Sequence, residues 1–388
     1  MTSSNIQKPI ALLCYLLSVF MALSIDIYLP SLPSITKSFG TTIDQAKLSL
    51  NIFLLGFGLS QIFYGIISDH FGRKKTLILG LMIYFVSSIG CMFSTSIDAL
   101  IFFRFLQSLG ACSASVSAYA LARDFYDGKE LTKVIANIAI IMTIVPSLAP
   151  LAGGMIDKTI GWRFSFFILS CLSLFTLFFS YHFLRKKDTY RAFTIDSLIK
   201  NYVYLMFDKP YLIYTIIGAN IFVALYFFIA ASPFLLIQHI NLNPIQYGIV
   251  MALNAIFLTL GNQLAKKINE QHSPSFCAKT GALIMLISSI LMIILSKYPM
   301  FFILFIFMCS TGIGIISPAS MAAALENQKH NSGQASSLSG FIRFSLAMFV
   351  STLFIPSFMT TGLVIGFCAI LNLILLFVSL PLRKVHNI

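Results

Sequence analysis

The segment 65–75 reads GIISDHFGRKK and lies between two apolar runs, 46–67 and 76–94. A helix that crosses the hydrocarbon core of a bilayer needs about 20 predominantly apolar residues. Each run is long enough for one crossing, and the charged segment between them has the composition of a water-exposed turn. The stretch therefore predicts two transmembrane helices joined by a tight, basic connection.

The same pattern continues outward over the whole chain. Further apolar runs fall at 10–32, 99–121, 132–156, 163–184, 211–236, 245–265, 276–296, 299–322, 335–357 and 360–381. Of the 388 residues, 58% are hydrophobic and 10% are charged, whereas soluble domains carry about 25% charged residues. We predict an all-α integral membrane protein with 12 transmembrane helices.

Segment 185–209 is the longest hydrophilic connection and separates two groups of six runs. It predicts an N-terminal six-helix bundle at 1–184, a cytoplasmic connector at 185–209 and a C-terminal six-helix bundle at 210–388. A displacement of about 202 residues lays Gln61 on Gln263 and Gly110 on Gly312. Parallel repeats of this kind are a known transporter design.

The formal net charge of +13 would suggest nucleic-acid binding in a soluble protein. Here the basic residues are concentrated in the loops between the apolar runs instead. With both termini cytoplasmic, the inner segments hold 19 Lys and Arg residues and the outer segments hold five. Cytoplasmic loops are enriched in these residues. The pattern predicts a multi-pass protein of a bacterial inner membrane with cytoplasmic termini and no nucleic-acid partner.

Four stretches carry a family resemblance. The turn matches the G-x-x-x-D-x-x-G-R-K/R pattern of the major facilitator superfamily. SIDIYLPSLP at 24–33, RFLQSLG at 104–110 and PSLAPLAGG at 146–154 resemble its Bcr/CflA branch of drug:proton antiporters, and GQASS at 333–337 is also typical. The resemblance implies the two-bundle fold and multidrug efflux of compounds such as bicyclomycin, sulfonamides and phenicols, and thus antibiotic resistance.

The resemblance assigns a gating motif to the turn and a helix-bend motif to span five. In the turn, glycines permit close contact and charged groups can bridge to neighbouring helix ends; its members are Gly65, Asp69, Gly72, Arg73 and Lys74. In span five, prolines remove backbone hydrogen bonds and favour a bend; this motif is Pro146, Pro150, Gly153 and Gly154. A topology-setting basic loop and ordinary tolerance of Pro and Gly in membrane helices are the alternative interpretations.

Ionisable residues within the spans are candidates for function, because charge in the bilayer interior is costly. Counted along straight helices, Asp26 and Arg104 reach a similar depth. They could form an ion pair in which Asp26 carries the proton and Arg104 tunes it. A static structural pair is the alternative.

Arg343 falls near the middle of span eleven, with no carboxylate at its depth. It suggests an anionic or carbonyl-rich substrate, unless helix carbonyls or water satisfy it. Other candidate substrate contacts are Tyr28, Gln107, Asn220, Tyr226 and Asn254. A mostly apolar pocket with few polar groups is common for small-molecule sites.

The favoured function is proton-coupled efflux of small drug-like molecules by a monomer that uses the proton gradient and no cofactor or metal. An importer of an anionic metabolite or carboxylate siderophore on the same fold is the alternative. The histidines form no HExxH or comparable cluster, so an enzyme is not expected.

Overall fold

The computed structural model describes residues 3–184, 195–325, 328 and 332–385. Within these residues the chain forms helices and turns, and twelve helical segments are long and apolar enough to cross a membrane. This confirms the prediction of twelve spans. The helices of the first half are α1 (Ser3–Ser18), α2 (Phe20–Asp26), α3 (Leu32–Phe39), α4 (Ile43–Phe71), α5 (Arg73–Met92), α6 (Ile97–Phe125), α7 (Gly128–Thr159) and α8 (Arg163–Phe183).

A short helix, α9 (Ile195–Phe207), precedes the second half. The remaining helices are α10 (Lys209–Ser232), which continues into a π-helical segment (Pro233–His239), α11 (Pro244–Gln271), α12 (Pro274–Ile294), α13 (Pro299–Leu325), α14 (Ser332–Leu353) and α15 (Phe358–Val385). Several helices begin with a side-chain cap. For example, Ser96 Oγ accepts a hydrogen bond from the backbone N–H of Ala99, which satisfies a free donor of the first turn.

The first span is interrupted, although its sequence predicts one helix over 10–32. α2 ends at Asp26, a 3₁₀ turn covers Leu29–Ser31, and α3 begins at Leu32. Pro30 lies in this break and Pro33 in the first turn of α3, and each removes a backbone donor that a continuous α-helix would use. Asp26 therefore lies at a helix end within the span.

The described residues divide into two compact units. The first comprises Met1–Phe193 with Pro244–Gly248, and the second comprises Thr194–Asn243 with Ile249–Ile388. Corresponding pairs pack within each unit: α5 contacts α6 and α8, while α12 contacts α13 and α15. The exact bundle bounds at 184 and 210 stay a prediction, and 185–194 lies outside the described residues.

The same glycine contact occurs once in each unit. A Cβ atom on Gly110 of α6 would lie 2.5 Å from the carbonyl oxygen of Gly80 on α5. A Cβ on Gly312 of α13 would lie 2.8 Å from the carbonyl oxygen of Gly281 on α12. Backbones approach this closely only where side chains are absent, so the third and fourth spans of each half share one mode of packing.

Part of the predicted hydrophilic connector is an amphipathic helix. α9 packs against α10 and α14, with Leu205 buried beside Tyr211 and Ala335. Its other face exposes large apolar side chains, among them Phe207 at 80%. A helix with apolar residues on an outward face suits the interface between lipid and water.

Candidate functional site

Arg104 of α6 is the largest completely buried side chain in the described structure, with 0% exposure. Its guanidinium carbon lies 4.3 Å from the ring centre of Phe53, 4.7 Å from that of Tyr28 and 5.9 Å from that of Phe166. Aromatic ring faces attract cations, and the attraction strengthens where water is excluded. Three separate spans thus enclose one positive charge.

A chain of hydrogen bonds leads away from this cation. Arg104 Nη1 donates to Gln107 Oε1 at 2.6 Å. Gln107 Nε2 donates to Ser88 Oγ at 2.8 Å, and the Ser88 hydroxyl donates to the carbonyl of Tyr84 at 2.7 Å. The Tyr84 hydroxyl shares a hydrogen bond of 2.5 Å with Ser24. Buried polar groups that satisfy one another in this way hold a fixed geometry.

The structure places Gln107 and Tyr28 in this cluster rather than on an open surface. Both side chains are fully buried, and the Tyr28 hydroxyl shares a 2.6 Å hydrogen bond with Ser49. They hold Arg104 in place, so a direct role in substrate contact would require movement of this core. Their assignment to substrate binding stays a prediction.

Asp26 does not form the predicted ion pair with Arg104. Its side chain is 8% exposed, and it makes no salt bridge or hydrogen bond with any described residue. The prediction counted depth along a straight helix, whereas the span breaks directly after Asp26 and Arg104 is directed toward Gln107 and the rings. The expected pair is wrong for this structure, while the proton-carrying role of Asp26 stays a prediction.

The break in the first span lies against the helix-bend motif of α7. Gly153 is so close to the carbonyl of Ile27 that no Cβ could be accommodated, and Gly154 is similarly close to the carbonyl of Pro244 in the same unit. α7 remains helical through Pro146 and Pro150. One turn further, Asp157 Oδ2 accepts a hydrogen bond of 2.7 Å from Ser34. The glycines of the motif therefore allow α7 to pack closely against the irregular backbone of the first span.

The gating motif connects several helix ends. Gly72 adopts φ = 90°, a conformation that favours glycine, and separates α4 from α5. Arg73 Nε lies 2.5 Å from Asp124 Oδ2 at the end of α6. Lys74 Nζ donates to the carbonyls of Tyr181, at 2.8 Å, and Leu184, at 2.5 Å. Cations at a helix C-terminus satisfy free carbonyls and oppose the helix dipole.

Gly65 and Asp69 belong to α4, but their side-chain surroundings lie outside the described residues. The bridging predicted for the motif is therefore seen only for Arg73 and Lys74.

The second unit contains a cavity of about 150 Å³. Its lining is half apolar and half polar, and comes from α10, α11, α13 and α14: Tyr214, Gly218, Ile221, Phe222, Leu225, Leu258, Asn262, Ile313, Ser317, Ser320, Met321, Ala324, Ser336, Ser339 and Arg343. Small-molecule sites combine an apolar lining with a few convergent polar groups, and this cavity contains both kinds of side chain. The cavity is the principal candidate for substrate contact in this unit.

Arg343 is the one predicted residue that lines this cavity. Its Nε is buried and makes no hydrogen bond with a described residue, and its guanidinium carbon lies 6.0 Å from the ring centre of Phe222. Elsewhere in the unit, Asn220 donates to Asn372 at 3.2 Å, and Asn254 accepts from Ser310 at 2.7 Å. Tyr226 stacks on Phe222 at 6.0 Å between ring centres.

The sequence did not identify the serines of the cavity. Ser317 and Ser320 lie on one face of α13, and Ser336 and Ser339 lie on one face of α14. Spacing of three residues places side chains on the same helix face. This spacing was the available signal, but serines are frequent throughout the spans and many bond their own helix.

Comparison with known proteins supports transport. The sequence profile of the Major Facilitator Superfamily matches residues 14–352. The chain is 25% identical over 358 residues to the uncharacterized MFS-type transporter YdgK of Bacillus subtilis, covering 89% of this chain and 88% of that protein. It is 24% identical over 369 residues to a bicyclomycin resistance protein homolog of Haemophilus influenzae, covering 92% and 93%.

Among solved structures, a D-xylose-proton symporter superposes with a TM-score of 0.75 at 14% identity, covering 94% of this chain and 96% of that chain. At this identity the likeness concerns the fold alone. It agrees with the twelve helices and the internal repeat described above.

Proposed function

The chain belongs to the Major Facilitator Superfamily of membrane transporters, and we propose that it exports small drug-like molecules in exchange for protons. It is a multi-pass integral membrane protein and a transporter rather than an enzyme. We further propose that it acts as a monomer in a bacterial inner membrane, with both termini cytoplasmic and with the proton gradient as its energy source instead of a cofactor.

The observation that carries the proposal is the state of Asp26. This acid is buried in a membrane span, at a helix break, without a salt bridge to a described residue. A carboxylate in such surroundings is costly when charged and much less costly when protonated. Because no ion pair must be broken, uptake and release of one proton would follow directly from the access of water to Asp26.

Arg104 has a different task in this scheme. Its enclosure by rings and its bond to Gln107 fix a permanent positive charge in the unit that contains Asp26. An arginine keeps its proton in proteins, so Arg104 does not carry the exchanged proton. It holds the first, second and sixth spans around one fixed charge.

The direction of transport is supported by the helix-bend motif and by relatives. The bicyclomycin resistance protein homolog is similar over almost its full length, and the PSLAPLAGG stretch fits α7 to the broken first span. In the predicted orientation the cavity residues fall in the cytoplasmic halves of α10, α11, α13 and α14. Cargo would then enter the cavity from the cytoplasm.

An importer of an anionic metabolite or carboxylate siderophore is the second candidate. The observation that favours it is Arg343, a cation in the cavity with no carboxylate among the described residues of the lining. The fold serves both directions, so only a vectorial assay separates the two functions.

The experiment uses purified chain in proteoliposomes with an acidic lumen, alkaline buffer outside and chloramphenicol as the probe. Antiport predicts accumulation of chloramphenicol in the acidic lumen, whereas symport predicts its loss from preloaded vesicles. Asp26→Asn should abolish pH-driven accumulation and leave exchange of unlabelled for labelled chloramphenicol intact. Asp98→Asn, which removes an exposed carboxylate at the start of α6, is the matched control. Full coupling in Asp26→Asn would refute the assignment.

A further inference from the structure

The cavity of the second unit holds hydrogen-bond donors and a cation, and none of the described residues that line it is acidic. We infer that this cavity binds an organic anion, a carboxylate or phosphonate joined to an apolar body, with the anionic group on Arg343. The inference rests on the proposed transport function and specifies its substrate class.

Arg343 is the first part of the argument. Its guanidinium makes no hydrogen bond or salt bridge with a described residue, and its contact with the Phe222 ring is long, at 6.0 Å. A cation that is partly removed from water without a partner is strongly disfavoured. Such an arrangement persists where the missing partner arrives with the ligand, and guanidinium groups bind carboxylate and phosphate-type oxygens in a planar, bidentate geometry.

The serines are the second part. Ser320 donates to the carbonyl of Ser317 at 2.9 Å, as serines in membrane helices often do. Ser317, Ser336 and Ser339 make no side-chain hydrogen bond with a described residue. Free hydroxyls on two facing helices can donate to the oxygens of an anion, and Arg343 lies one turn beyond Ser339 on α14.

The apolar lining indicates the chemical character of the rest of the ligand. Ile221, Phe222 and Leu225 of α10 face the cavity together with Leu258 and Ile313. These side chains suit an aromatic or branched aliphatic body. A small inorganic anion would leave them in contact with water and would gain nothing from them.

The test compares two probes of equal size, 1-naphthoate and its neutral amide 1-naphthamide, by equilibrium binding to the full chain in nanodiscs at neutral pH. We expect the parent chain to prefer the naphthoate. Arg343→Gln should weaken naphthoate binding roughly thirtyfold or more, as expected when one partner of a desolvated charge pair is removed. Naphthamide binding should change less than about twofold, because the amide makes no ion pair.

Two further variants complete the design. Arg343→Lys keeps the charge but loses the bidentate geometry, so it should retain part of the naphthoate affinity. Lys297→Gln removes an exposed cation outside the cavity and should affect neither probe. Should Arg343→Gln fail to fold, as judged by its size-exclusion profile, the lysine variant decides.

Equal losses for both probes, unchanged naphthoate binding, or a parent chain without preference for naphthoate would each overturn the inference. The pH-gradient assay keeps this outcome separate from the proposed function. Selective loss of naphthoate binding in Arg343→Gln, combined with no proton-driven transport of either chloramphenicol or naphthoate by the parent chain, would leave the anion site standing and refute proton-coupled export.

Discussion

Replacement of Gly110 by alanine tests the packing that both halves share. The new Cβ would lie 2.5 Å from the carbonyl oxygen of Gly80 and 2.6 Å from Cβ of Tyr84, whereas ordinary contacts begin near 3.4 Å. The neighbour on one side is backbone, which cannot rotate away. α5 and α6 would have to separate by about 0.9 Å to restore a normal distance.

The cost of this separation can be worked from dispersion energies. A gap of 0.5–1 Å forfeits a quarter to a half of each atomic contact of about 0.1–0.2 kcal/mol. For roughly 50 contacts around the crossing, the loss is about 1–5 kcal/mol. We expect Gly110→Ala to lower the thermal denaturation temperature in detergent clearly, and Gly312→Ala, with its 2.8 Å approach, to lower it somewhat less.

Two glycines in other helices provide matched controls. Gly333 has no atom within 4 Å of the position of a new Cβ, and Gly218 meets only Ser320 Oγ at 3.8 Å. Alanine at these helical positions should be neutral or slightly stabilising, because it restricts the unfolded chain. Size-exclusion profiles recorded after heating would report the thermal stability of all four variants. Equal melting temperatures for Gly110→Ala and Gly333→Ala would refute the proposed close packing.

Three other predictions concern charge and lipid. Arg104→Met should lower the melting temperature, because the buried Gln107 Oε1 loses its donor and three aromatic rings lose their cation; an unchanged melting temperature would contradict this. Asp124→Arg should remove an Arg73–Asp124 ion pair worth about 1 kcal/mol, since both side chains keep partial access to water, at 34% and 26% exposure, and adding Arg73→Asp should recover part of the lost transport rate; no recovery would count against the pair. Phe207→Trp in nanodiscs with brominated lipids should show stronger quenching than the parent chain, whose single tryptophan is Trp162; equal quenching would show that α9 does not contact lipid.

The spans were predictable because the hydropathy of a segment depends only on its own residues and not on its neighbours in the fold. Twelve apolar runs became twelve membrane-length helices. The interruption at Leu29–Ser31 was not predicted, although Pro30 and Pro33 were visible in the motif. Prolines are tolerated in membrane helices when neighbours satisfy the freed groups, so their presence alone does not indicate a break.

The pairing of Asp26 with Arg104 failed for a related reason. Residue counts give depth but not direction around a helix, and the partners of Arg104 come from distant parts of the chain, as Phe53 and Phe166 show. α9 was missed because basic residues before it dominate the composition of 185–209. Arg343 was recognised from the sequence, since a cation in the middle of an apolar run is conspicuous in any surroundings.

The absence of an acidic residue around Arg343 in the described cavity bears on the electrical behaviour of the transporter. If a monovalent anion leaves while one proton enters, two elementary charges cross the membrane field in each cycle. Each charge is worth about 2.3 kcal/mol per 100 mV, and two are worth about 4.6 kcal/mol. The membrane potential, negative inside, would then drive expulsion even where the pH difference vanishes, whereas neutral cargo would receive only half of that contribution.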